Sequence, residues 1–239
     1  MKAIMTSMRV DWIRMTSGGA GLMAFYLLSE PVTLLLFTVA VGGGDADMPA
    51  LINAVFNYVA GLSMLTFASF LTFPGVYQDM GGNGRMNGIM PAGRDHQVLG
   101  RYAYLAIFAG LFAVISVCSY VLAFAVAGQL DAMGGVPWPR IGALTFGYVL
   151  LASVALASTY RFKPQAIMYS LALGGSVVAI LLFAAALRFP DRLTAILGWL
   201  DAHVFVSPWL TALLAVVIAA AVVAGSLVSS LRAYRRKDL

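Results

Sequence analysis

From Tyr102 to Leu130 the chain carries no charged residue, and this is one of several such stretches. A run of about 20 apolar residues is long enough to cross the hydrocarbon of a bilayer as a helix. Six segments meet that requirement: 19–41, 50–73, 101–127, 140–160, 166–187 and 204–231. Only 10% of the 239 residues are charged, against roughly 25% in a soluble domain. Too little charge is present to cover a water-exposed surface, so lipid is the natural solvent. The expected fold is an all-α polytopic membrane protein, a single transmembrane domain over 1–239.

Lys and Arg set the expected orientation. With both termini and the 75–100 and 161–165 segments on one side, 12 of the 15 basic residues fall there. Only Arg140, Arg188 and Arg192 fall on the other. Positive charge stays inside, so both termini and the 75–100 loop are expected to be cytoplasmic in a multi-pass protein of the cell membrane. Topology thereby accounts for the formal charge of +5, and no nucleic-acid groove is needed.

Two segments are expected to lie on the membrane. In 1–17, Ile4, Met8, Trp12 and Met15 recur at helical spacing, with Lys2, Arg9 and Arg14 mostly off that stripe. This is the pattern of an interfacial amphipathic helix. In 190–203, Leu193, Ile196, Leu197 and Leu200 follow Pro190 and Asp191, a helix start before the last span. The N-terminus lacks a clear cleavage site, so no removed signal peptide is expected.

Several chemistries lack their parts. The three lysines are Lys2, Lys163 and Lys237, and none follows a glycine, so the chain has no P-loop. Ser63, in Gly61–Leu65, has no histidine in a span to act as its base, because His96 and His203 lie in loops. Ser63 therefore reads as a small packing residue, and so does Cys118, the one cysteine. No metal or catalytic cluster is visible, and no enzyme activity is expected of this chain.

The polar segment from Gly75 to Tyr102 is the exception to the apolar pattern. Gly81, Gly82, Gly84 and Gly88 disfavour a long helix, and Pro91 interrupts it. A helix entering the membrane is expected after Gly93, with Asp95 in its first turn. Met80, Met86, Ile89 and Met90 stand beside Asp79, Arg85 and Arg94, a mixture that suits docking of a cytoplasmic partner.

The segment has the form D-x(5)-R-x-N-x-I-x-P-A-G-R-x-x-x-V-L-G-R-Y. It resembles the permease subunits of ABC type-2 transporters, which carry an acidic residue, then P-[VAI]-[ST]-R, then V-x-G-[KR]-Y entering the third span. Here these are Asp79, Pro91–Arg94 and Val98–Tyr102, with Gly93 where Ser or Thr is usual. The resemblance implies a coupling helix in the 75–100 loop that docks on a separate P-loop ATPase. Asp79, Arg85, Asn87, Ile89, Met90, Arg94 and Asp95 would serve the coupling. It also implies a second permease subunit, identical or related. ATP and Mg would be bound by the partner, with no cofactor bound directly. The cargo would be a hydrophobic or amphipathic peptide or drug-like molecule.

Within the spans, Glu30 stands near the middle of the first, followed by Pro31. An intramembrane carboxyl is costly and marks a substrate or ion pathway unless a neighbouring span satisfies it. Asn53 and Asn57, one turn apart in the second span, either line that pathway or tie helices together. Two alternatives to the exporter stay open: a self-contained secondary carrier and a non-transporting scaffold.

Overall fold

The computed structural model describes residues 2–16, 20–41, 48–80, 93–162 and 208–236, and those residues are helical apart from short connections. The helices are α1 (Lys2–Thr16), α2 (Ala20–Val41), α3 (Met48–Met80), α4 (Arg94–Val126), α5 (Trp138–Arg161) and α6 (Pro208–Arg235). A 3-10 turn, Leu130–Met133, links α4 to α5. Gly128, Gly134 and Gly135 in that link take positive φ, which a residue with a Cβ rarely adopts.

Among the described residues, four stretches are long and apolar enough to cross a membrane: Met48–Leu65, Arg94–Val126, Trp138–Arg161 and Trp209–Arg235. The described apolar stretch of α2 is Leu27–Ala40, within a helix of 22 residues. The chain is thus a multi-pass helical membrane protein. The expected fifth span, 166–187, and the expected external helix, 190–203, lie outside the described residues.

Every other described helix packs against α4. Its buried residues include Val98, Tyr102, Leu105, Phe108, Phe112, Ser116, Tyr120 and Ala123, three or four apart, which makes one continuous inward face. Large apolar side chains such as Leu36, Leu62, Val114, Leu213 and Val216 point outward. With lipid as solvent that costs nothing, and the interior is selected for fit instead.

The interior has two apolar clusters. One joins Phe67, Leu105, Phe108, Phe112, Tyr148, Ala152, Leu156 and Tyr234. The other joins Leu34, Ile52, Phe56, Tyr120, Phe124 and Ile141. Edge-on contacts fix the rings: Phe67 meets Phe112 at 5.6 Å between centroids and Phe56 meets Tyr120 at 5.0 Å.

α1 lies across the α4 end that also receives the C-terminal end of α6. The Tyr104 hydroxyl donates to the Met8 carbonyl at 2.7 Å, and Trp12 stacks on the Tyr104 ring. Gly100 makes the approach possible, because a Cβ there would sit 3.2 Å from Ser7 Oγ. The buried face of α1 therefore centres on Ser7, which is wholly buried, rather than on the apolar stripe. Ile4 and Met8 are half-buried and Trp12 is exposed. The stripe is shared with the bundle: Met8 packs against the first cluster and Trp12 against the Tyr104 ring.

Three expectations need correction. The second span was expected to end at Phe73 before a loop, yet α3 continues through Pro74 and Gly75 to Met80. Proline removes one ladder hydrogen bond, and a long membrane helix tolerates that loss. Asp79 accordingly stands on α3 rather than in the loop. Cys118 is exposed on α4 instead of packed between helices. The helix start after Gly93 is as expected: Gly93 is the cap residue, without a side-chain cap bond, and its carbonyl accepts from Gln97 N at 3.1 Å.

Candidate functional site

Glu30 lies between the two apolar clusters. Ser63 on α3 stands between Ala60 of one cluster and Phe67 of the other, and Ser116 on α4 stands between Tyr120 and Phe112. Glu30, Ser63 and Ser116 are 0%, 3% and 0% exposed. The Ser116 hydroxyl donates to Glu30 Oε2 at 3.2 Å, and Ser63 also reaches the carboxyl. Glu30 Oε1 has no hydrogen-bond partner among the described residues. Three helices thus bring one carboxyl and two hydroxyls together at the middle of the expected spans.

Among the described residues, the groups around this carboxyl are hydroxyls, not cations. A carboxylate accepts only, and a hydroxyl that donates its one proton still has lone pairs to offer. The cluster therefore holds more acceptor capacity than donors. Next to Glu30, Pro31 has no N–H, so the Leu27 carbonyl lacks its usual helical partner. On α5, the Tyr148 ring stacks on Phe112, one turn of α4 from Ser116, and its buried hydroxyl also has no hydrogen-bond partner among the described residues.

The two asparagines separate. Asn53 Oδ1 accepts from the Tyr120 hydroxyl at 3.0 Å and from Arg140 Nη1 at 3.1 Å, while its Nδ2 donates to the Pro49 carbonyl at 2.8 Å. It ties α3 to α4 and α5 at the end remote from α1. Asn57 is exposed and stands away from this tie.

A second polar assembly occupies the other end of α4. Arg235 of α6 grips Asp95 with two bonds, Nε to Oδ1 at 2.9 Å and Nη2 to Oδ2 at 2.5 Å. Arg94 Nη1 donates to the Arg235 carbonyl at 3.3 Å. The Tyr234 hydroxyl donates to Gln97 Oε1 at 2.7 Å. Tyr234 packs against Tyr160 of α5, whose ring lies under the Arg101 guanidinium at 5.5 Å. One turn further along α4, the Tyr102 hydroxyl meets Ser226 and Ser230 of α6, and Ser226 donates to the Ser153 carbonyl of α5. Asp95 is thus engaged within the chain. Arg85, Asn87, Ile89 and Met90 lie outside the described residues.

Sequence reasoning singled out Glu30 but missed Ser63 and Ser116 as its partners. A usable signal was present, because all three fall at the midpoints of their expected spans. The α4–α6 assembly had no such signal, since residues 95 and 235 meet only through the packing of distant helices. No family model, curated protein or solved structure matches this chain.

Proposed function

We propose that this chain is the membrane-spanning permease subunit of an ATP-driven exporter, with ATP hydrolysed by a separate cytoplasmic P-loop subunit. The observation that carries this reading is the length of α3 and α4. Each has 33 residues, about 50 Å at 1.5 Å per residue. The hydrocarbon they cross is about 30 Å thick. The helical rods flanking 81–92 therefore exceed the bilayer.

The same end holds a route by which force on the connection reaches the rest of the bundle. The first turns of α4 are fastened to α6 through Asp95–Arg235 and Gln97–Tyr234, and to α5 through Arg101–Tyr160. Closure of the ATPase on the connection would displace the start of α4, and α5 and α6 would move with it. Further along, α4 carries Ser116 against Glu30, so the displacement would also act on the intramembrane carboxyl. Two such permease subunits would pair, and the cargo would be a hydrophobic or amphipathic peptide or drug-like molecule.

The test is co-purification. The chain is tagged, extracted gently from native membranes and analysed by mass spectrometry, beside a variant with Asp79, Arg85 and Arg94 changed to Ala. The expected result is a near-stoichiometric P-loop ATPase that the variant loses. Its absence under several mild conditions contradicts the proposal. One observation favours a second reading, a self-contained carrier: the buried Glu30 suits ion coupling. Ion-gradient-driven uptake by the chain alone in vesicles would establish that alternative.

A further inference from the structure

We infer that Glu30, Ser63 and Ser116 form a binding site for one monovalent cationic centre, either an alkali ion or the primary ammonium group of a substrate. Three features point there. The carboxyl is fully buried with one oxygen unpartnered among the described residues. The groups that touch it are hydroxyls with acceptor capacity to spare. The adjacent Pro31 removes the N–H that would occupy the Leu27 carbonyl.

Charge balance sets the ligand class. An intramembrane charge is retained where it is paired. One carboxylate is neutralised by one positive charge, whereas a divalent ion would leave an excess charge between two apolar clusters. Hard oxygen ligands, with no thiol or imidazole in the cluster, suit an alkali ion or an ammonium group rather than a soft metal. Access requires α2 to move, and Pro31 lies beside Glu30, where it weakens the ladder and permits a bend. The inference rests on the transport reading only in treating this level as part of a pathway, and it does not depend on ATP as the energy source.

The experiment uses the purified full chain in lipid nanodiscs, without an ATPase, in N-methylglucamine chloride at constant ionic strength. Sodium chloride, potassium chloride or n-butylammonium chloride is titrated in, and the thermal unfolding midpoint is followed. The expected result is a saturable rise of roughly 3–6 °C at ten times the half-saturating concentration. Glu30→Gln is expected to abolish it while the chain elutes as wild type. Response to sodium or potassium alone identifies a free alkali ion; response to butylammonium alone identifies a substrate amine. A wild-type midpoint indifferent to all three overturns the inference. So does infrared evidence that a Glu30-dependent protonated carboxyl band persists at saturating cation, because the ligand is then a proton. Where Glu30→Gln does not fold, the Ser63→Ala, Ser116→Ala double variant is read instead, and an unchanged half-saturating concentration overturns the inference. A cation response without ATPase capture sinks the exporter reading and leaves this site standing, and the converse result does the reverse.

Discussion

Glu30→Leu should make the protein more stable and less active. Leucine keeps an apolar stem at a position that is fully buried. The carboxyl it replaces has one oxygen without a partner among the described residues, and a buried unsatisfied polar atom costs about 1–3 kcal/mol. The substitution also removes the contacts with Ser116 and Ser63. Hydrogen bonds between membrane helices average only about 0.6 kcal/mol. The orphaned serines lose little more, because a helical serine can bond the carbonyl one turn back, as Ser119, Ser153 and Ser158 do here. Two such contacts take back about 1.2 kcal/mol, and a net stabilisation of up to about 2 kcal/mol is expected. In a chain of this size that raises the unfolding midpoint by up to about 8 °C. The assay is thermal unfolding in nanodiscs beside a transport or resistance measurement in cells. A lower midpoint with transport retained would refute the reasoning, because the carboxyl would then be a structural tie.

Further expectations follow from the packing of α4. Gly100→Val places branched carbons where a Cβ alone already meets Ser7 Oγ at 3.2 Å. Overpacking of this kind costs about 1–3 kcal/mol, and α1 should lift, seen as a change in Trp12 fluorescence and earlier proteolysis of residues 2–16. Asp95→Arg and Arg235→Asp should each loosen the α4–α6 contact, and the double swap should restore it. The pair is solvent-exposed, so the stability change should be small, with the larger effect on the proposed transport. Tyr102→Phe should cost about 0.6 kcal/mol, and no more than about 1.7, because Ser226 keeps its bond to the Ser153 carbonyl.

The sequence was most informative where one dimension suffices. Runs without charge marked the long helices, and Gly93 with Asp95 marked the start of α4. Local punctuation misled at Pro74–Gly75, which reads as a stop but lies inside α3. The amphipathic stripe of α1 was real as a pattern, yet the face that packs is set by Gly100, a residue nearly a hundred positions away. Glu30 stood out because a carboxyl among apolar residues is conspicuous. Its serine partners did not, because serine is ordinary in a membrane helix and becomes meaningful only when three helices register it at one depth. Asp95 had a plausible local role at a helix start, and its bond to Arg235 depends on how α4 meets α6.

We propose that the connection between α3 and α4 receives an ATPase. It is tested most directly by placing a photo-crosslinking amino acid at Ile89, irradiating intact cells and sequencing the adduct. The account predicts a crosslink to a P-loop ATPase that disappears when Asp79 and Arg85 are changed to Ala. Crosslinks confined to lipid, or to the chain itself, at full expression and correct membrane insertion would contradict it.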